Sequence, residues 1–122
     1  MTLSKIENIT ATFSRHLHGK ICTGFFDRFK GLMFNRDLAE NECIILDEGT
    51  ESKLNTSIHM FFMFYDIAVI WADKNWKVVE IKVARKWKPY YASSEPARFV
   101  LEARTGWFQS FHKGDQLRIS NV

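Results

Sequence analysis

The sequence predicts a mainly β fold, a sandwich or partly closed barrel with one or two short helices, and three observations carry that expectation. Short apolar runs recur between turn signals. Eleven Phe and four Trp among 122 residues supply rings that suit the pleated faces of sheets. Val79, Ile81 and Val83 alternate with Glu80 and Lys82 in the two-residue period of a half-exposed strand. With 46% hydrophobic residues and no internal repeat, low-complexity tract or Pro/Gly/Ser linker, residues 1–122 read as a single domain able to bury its own core.

The elements follow in order. Residues 9–13 and 20–25 read as an opening strand pair around His16-Leu17-His18-Gly19, where a Gly interrupts β-branched and aromatic residues. Phe26, Phe29 and Met33 recur at helical spacing with Asp27 in the first turn, so a short helix is expected over 26–34 despite Gly31. Strands are expected over 42–46 and 58–63, separated by the polar segment 47–56. Residues 58–72 are apolar on both alternations, as a strand covered on both faces requires, and form the expected centre of the core. Asp73-Lys74-Asn75 reads as a hairpin turn into a strand over 77–84, which ends at a loop containing Pro89 and Pro96. A strand over 98–103, a helical turn over 105–111 and a closing strand over 116–120 after Lys113-Gly114-Asp115 complete the chain.

Charge and cysteine usage bound the function classes. A net charge of +3 permits anionic partners without the broad basic face of a dedicated nucleic-acid module. Residues 1–10 lack an apolar run long enough for a signal peptide, and residues 58–72 are too short to span a bilayer and carry Asp66, so neither export nor a membrane span is expected. Cys22 and Cys43, without a Cys-x-x-Cys element, read as reduced thiols. The expected compartment is the cytoplasm.

Four motifs in order resemble one family. Arg28, Gly31, Leu32 and Met33 form an Arg-x-x-Gly-Leu-Met element; His59, Phe61, Phe62 and Met63 a His-x-Phe-Phe-Met segment; Pro96, Ala97, Val100, Leu101 and Glu102 a Pro-Ala-x-x-Val-Leu-Glu run; and Gly106 and Gly114-Asp115 follow. From about residue 10 to the end, the chain resembles the prokaryotic family called domain of unknown function 192. The resemblance implies a compact, mainly β domain and implies no reaction. It also marks departures: Phe64, Asp66 and Ala68 stand where the family pattern has a basic residue, a Pro and an acid, and Asn75-Trp76 replaces Gly in the hairpin turn. On a continuous strand residues 64 and 68 would share a face, so their joint change fits replacement of an ion pair by packing. The chain therefore reads as a divergent member.

No Gly-x-Ser-x-Gly elbow, phosphate loop or His-Glu-x-x-His element is present, and no cofactor or metal is expected. His16 and His18 have a two-residue spacing that can hold a metal but lack further ligands nearby. His59 could serve as a general base, although a packed histidine is the favoured reading because no partner is assigned by spacing. Glu102, Asp115 and Asp73 could form an acid pair, or act separately as turn caps. Cys22 and Cys43 read as buried hydrophobes rather than nucleophiles.

The most suggestive surface feature is the run from Lys82 to Tyr91, in which Lys82, Arg85, Lys86 and Lys88 accompany Trp87, Tyr90 and Tyr91. The preferred expectation is a non-catalytic binding or accessory domain whose loop of Arg85, Lys86, Trp87, Lys88, Tyr90 and Tyr91 contacts a small ligand, such as a sugar, or a protein partner. The alternatives are a single-stranded nucleic-acid contact within the loop 82–91, through Lys82, Arg85, Lys86, Trp87 and Lys88, and an enzyme using His59 with a carboxylate. A loop whose rings fold back as a lid on the barrel is the plainer reading of the same residues. The sequence leaves the oligomeric state open.

Overall fold

The computed structural model describes residues 3–11, 15–23, 32, 37–54 and 56–121. Seven strands form one mixed sheet: β1 (Leu3–Asn8), β2 (Leu17–Cys22), β3 (Glu42–Ser52), β4 (Ile67–Ala72), β5 (Val78–Ala84), β6 (Ala97–Arg104) and β7 (Leu117–Asn121), with a 3₁₀ helix at Thr105–Ser110. Their order across the sheet is β5-β4-β6-β3-β2-β1-β7. Neighbours are antiparallel except β2 and β3, whose parallel pairing requires a crossover, here residues 23–41.

The sheet is not closed along its length, yet its two edges meet at one corner. Lys77 bridges Gln116, the Val78 N–H donates to the Asp115 carbonyl at 2.8 Å, and the Leu117 N–H donates to the Trp76 carbonyl at 2.9 Å. This corner gives the sheet the curl of a partly closed barrel. Asp115 holds it from behind, its carboxylate accepting from the Asn8 amide at 2.7 Å and from the His112 N–H at 2.8 Å. The Gly-Asp motif thus ties the end of β1 to the start of β7.

Both faces of the sheet are covered. On one, Ile6, Leu17, Ile45, Ile70 and Leu101 pack beneath Trp107 and Phe111 of the 3₁₀ segment. On the other, Leu46, Val69, Trp71 and Val100 pack against Leu32, Leu38, Ile58, Met60 and Met63, which come from outside the strands. All six residues of β4 are therefore buried, as the two-sided apolar pattern requires. Each aliphatic side chain fully withdrawn from water contributes about 1.5–3 kcal/mol before entropy is counted.

The structure corrects several expectations. The opening pair exists, but as β1 with β2, displaced from 9–13 and 20–25. His16-Leu17-His18-Gly19 is not a turn: residues 17–19 lie in β2, and Gly19 is needed because its Cβ would collide with the carbonyl oxygen and Sγ of Cys43. The expected polar loop over 47–56 begins as strand, since β3 runs to Ser52 with a register shift against β6 after Asp47. Residues 58–63 do not form a strand. They pair instead with the loop that follows β5, through the isolated bridge of Ile58 to Tyr91 and the backbone bonds of Met60 to Trp87 and Lys88, and Phe62 within them has a left-handed backbone at φ 61°. The strand is consequently not continuous from 64 to 68: Phe64 is exposed outside β4 and Ala68 is fully buried within it, so the shared-face account of those positions fails. The helix expected over 26–34 lies, Leu32 apart, outside the described residues.

The remaining elements follow the pattern. Asp73 makes the hairpin turn by accepting the N–H groups of Asn75 and Lys77 on one carboxylate oxygen, at 2.8 and 3.0 Å. The helical turn near 105–111 is the 3₁₀ helix.

Candidate functional site

Two segments far apart in sequence lie side by side at one end of β4. Ile58 and Tyr91 exchange both backbone hydrogen bonds, at 2.8 and 2.9 Å. The Met60 carbonyl accepts from the Trp87 N–H at 2.8 Å, and the Met60 N–H donates to the Lys88 carbonyl at 3.1 Å. Met60 and Met63 are buried and anchor the segment in the core. The residues between and beside them are pushed outward, so Phe61, Phe62 and Phe64 are 43%, 43% and 40% exposed.

The basic loop completes this surface. Trp87 is 52% exposed and Tyr90 56%, so these two rings do not fold back as a lid. Tyr91 does fold back: its hydroxyl accepts from the Arg85 N–H at 2.8 Å, and the Lys88 ammonium lies 4.9 Å over its ring. Trp87 meets Phe62 edge-on at 5.1 Å. Both have left-handed backbones, at φ 68° and 61°. A bulky side chain there costs on the order of 1 kcal/mol or more and persists only where surrounding bonds hold it.

Arg85, Lys86 and Lys88 are exposed beside these rings. Asp66 steadies the loop, accepting from the Lys86 N–H at 2.8 Å and lying 3.9 Å from the Arg85 guanidinium. Lys82 points elsewhere, donating to the Ala92 carbonyl at 2.6 Å and lying over Trp71. Next to the platform opens a cleft of about 370 Å³ lined by Phe64, Tyr65, Asp66, Lys86, Arg104 and Thr105. Sequence reasoning had placed Phe61 and Phe62 in the core and had assigned no role to Tyr65, Arg104 or Thr105. The available signal was the run Phe61-Phe62-Met63-Phe64, which fits neither a two-residue nor a helical period and so cannot be packed on one face.

Two of the family-motif residues, Leu32 and Glu102, meet in the sheet interior. Glu102 stands on β6 between Val69 of β4 and Ile44 of β3, in the sheet interior. Burial pushes its carboxyl up to about 7, only partly opposed by a hydrogen bond from the Leu32 backbone N–H. Leu32 belongs to the Arg-x-x-Gly-Leu-Met motif, so two motifs separated by some seventy residues meet through one bond; Arg28, Gly31 and Met33 lie outside the described residues. Burial also raises the Tyr65 phenol, with Arg104 acting against it. Pro96 lies exposed at the entry to β6, before the buried Ala97.

The other candidates do not converge. His59 Nδ1 accepts the Phe61 N–H at 3.3 Å, a turn-closing bond within its own segment. Glu102, Asp73 and Asp115 occupy three separate places, the latter two accepting turn N–H groups. His16 and His18 face one another edge-on at 5.5 Å, and among the described residues no group of three or more His, Cys, Asp or Glu is placed to hold a metal. Both cysteines are buried and unpaired with each other, and burial, with Glu42 adding to it, pushes the Cys43 thiol up to about 12. A thiol so raised is a poor nucleophile at neutral pH. Among the described residues no helix is long and apolar enough to cross a membrane.

The class defined by these features is a curled mixed-sheet domain with an exposed aromatic and cationic surface at one end and a buried acid within the sheet. The chain belongs to the domain of unknown function 192 family, described as uncharacterized ACR, whose model matches residues 8–119. It is 43% identical over 91 residues to a UPF0127 protein of Thermococcus gammatolerans, covering 75% of this chain and 58% of that one. It is 37% identical over 100 residues to a UPF0127 protein of Thermococcus kodakarensis, covering 80% and 62%. Against a UPF0127 protein of Pyrococcus furiosus it is 30% identical over 112 residues, covering 90% and 93%. The chain thus spans less than two thirds of these Thermococcus relatives and nearly all of the Pyrococcus one. Among solved structures, a Sinorhizobium meliloti 1021 protein with a suggested role in transcription regulation superimposes with a TM-score of 0.84 at 18% identity, covering 96% of this chain and 92% of that one. A protein of unknown function from Novosphingobium aromaticivorans DSM 12444 gives 0.82 at 16% identity, covering 96% and 83%. At these identities the likeness is one of fold.

Proposed function

We propose that this protein is a non-catalytic binding module and that its contact surface is the platform of Phe61, Phe62, Trp87 and Tyr90 with Arg85, Lys86 and Lys88. The observation that carries this reading is the pair Phe62 and Trp87. Two large rings are held in a costly backbone conformation and about half exposed to water, an arrangement that burial does not explain. Rings presented this way offer flat apolar faces, and the flanking cations select for negative charge. Glu102, buried in the sheet under the platform with its carboxyl pushed up by burial, is withdrawn from anything bound on that surface.

Trp87 supplies its own reporter, since Trp71 and Trp107 are fully buried and Trp76 is half-buried. Titration with peptides, oligosaccharides and oligonucleotides while following tryptophan emission is expected to reveal a binder whose affinity falls in Trp87→Ala and in Lys86→Ala. A binder whose affinity is the same in wild type and both variants would place the contact surface elsewhere.

A further inference from the structure

Resting on the platform reading above, we propose that the occupant of this surface is single-stranded nucleic acid, gripped through base faces and phosphates without regard to the sugar. The argument begins with the kind of polar group that borders the rings. Saccharide subsites place carboxylates and amides around an aromatic face to meet hydroxyl donors and acceptors in pairs. Here the charged side chains beside the rings include Arg85, Lys86 and Lys88, which only donate, and His59, packed 5.7 Å from Phe61, already spends Nδ1 as an acceptor for the Phe61 N–H. The carboxylate among them, Asp66, already accepts the Lys86 N–H and lies against Arg85. A ligand for this surface must therefore bring negative charge and flat rings together, at a spacing that interleaves them.

The chain order meets that requirement. Two cations precede Trp87, Lys88 follows it, and Tyr90 lies two residues further on. The rings of Phe61 and Phe62 are set beside this loop by the Met60 hydrogen bonds to Trp87 and Lys88. The neighbouring cleft opens past Phe64 with Lys86 in its wall; Arg104 there donates to the Leu38 carbonyl at 2.9 Å and lies 3.7 Å from Glu40. Bases stack on exposed rings only when they are not already stacked in a duplex, so the rings select single strands, and the cations follow the backbone. Both DNA and RNA single strands present this chemistry.

The test is a fluorescence-anisotropy titration of the full chain with labelled oligothymidylate and oligouridylate of about 16 nucleotides, the upper end of single-domain site sizes. It is run over a series of salt concentrations and repeated on Trp87→Ala, Trp87→Gly and Lys86→Ala. Both oligonucleotides are expected to bind. Three phosphate contacts give a slope of log affinity on log salt of about −2, at roughly −0.7 per contact for a single strand. Lys86→Ala is expected to flatten the slope by about 0.7. Each Trp87 variant is expected to weaken binding roughly tenfold with the slope preserved, because stacking carries no counterion release. Trp87→Gly suits the left-handed backbone, so its loss of binding cannot be ascribed to misfolding.

Three results would overturn the proposal. One is the absence of binding to either oligonucleotide at low salt. Another is binding that both Trp87 variants leave unchanged, which is adhesion of a polyanion to charge alone. The third is a preference for duplex of the same length. If oligonucleotides fail while a peptide or saccharide binds in a Trp87-dependent way, the nucleic-acid inference falls and the platform reading stands. If every ligand found binds independently of Trp87 and Lys86, both fall.

Discussion

Trp76 and Trp87 share an unusual backbone and differ in everything around it. Both are left-handed, at φ 63° and 68°, and both sit at reversals of the chain. Trp76 is stacked on Phe99, with centroids 3.7 Å apart and planes 12° from parallel, and packs against the sheet face beneath the 3₁₀ segment. Its own carbonyl accepts the Leu117 N–H and closes the corner between the sheet edges. Trp87 stands half in water with one edge contact, to Phe62. The same strain is offset by packing in the first case and by little packing in the second. A strained position compensated by the core is a structural choice, whereas one left exposed calls for a role outside the fold.

The largest effect on stability is expected at Trp76. Trp76→Ala should cost about 2–3 kcal/mol, from the lost stack on Phe99 and the cavity left behind. For a chain of this size that is a fall in Tm of roughly 6–12 °C by thermal denaturation. Trp87→Ala should cost less than about 1 kcal/mol, as an exposed residue with one edge contact. Equal losses at the two sites would erase the distinction between them.

Glu102 sharpens the comparison from below, since it lies on the face of the sheet that supports the platform. Burial pushes its carboxyl up to about 7, above the ordinary 4.5 of an exposed glutamate. Between those pH values the folded protein keeps a proton that the unfolded chain has released, so stability falls as pH rises through this window and levels off above it. The contribution, present in full below about pH 4.5, is lost by about pH 7 and amounts to roughly 3 kcal/mol. Glu102→Gln retains the acceptor for the Leu32 N–H and removes the ionisation. The variant is expected to match wild type near pH 4.5 and to be more stable by roughly 1–3 kcal/mol at pH 8, in urea unfolding at the two pH values. A difference that does not change with pH would mean that Glu102 reaches solvent or a cation when ionised.

The fold was legible where local chemistry decides it. The strand over 78–84, the Asp73 turn, the Gly114-Asp115 turn and the two-sided burial of the part of the 58–72 run that forms β4 each carry their own signal. The two-residue alternation within β5, by contrast, is broken by a register shift that sends Val79 and Ile81 to opposite faces. The failures come from positions that tertiary contacts decide. Ser4 and Asn8 are buried polar residues in β1, and Asn8 is satisfied by Asp115 from the far end of the chain, which no local pattern announces. Gly19 resembled a turn glycine and is a glycine of close approach, where Cys43 leaves no room for a Cβ. Phe61 and Phe62 resembled core because they are apolar, whereas Met60 and Met63 take the interior. The loop from Arg85 to Tyr91 was recognisable by composition, but its juxtaposition with Phe61 and Phe62 depends on the hydrogen bonds of Met60.

The smallest expected effect is the most discriminating. Glycine at position 87 would release the cost of the left-handed backbone, about 1–2 kcal/mol. Against this stand the extra chain entropy of glycine, about 0.5–1 kcal/mol, and the edge contact with Phe62, about 0.5–1.5 kcal/mol. The terms nearly cancel, so Trp87→Gly should unfold within about 0.5 kcal/mol of wild type. At position 76 the same replacement gains the same release but loses the stack on Phe99, and should remain destabilised by about 1–2 kcal/mol. At position 76 the stack on Phe99 offsets the strained backbone. Position 87 shows no such compensation. A tryptophan that can be removed without loss of stability, in a conformation that glycine adopts more readily, is held there by what its ring touches outside the fold. If Trp87→Gly proves as destabilising as Trp76→Gly, the ring belongs to the structure after all and the platform is a by-product of packing.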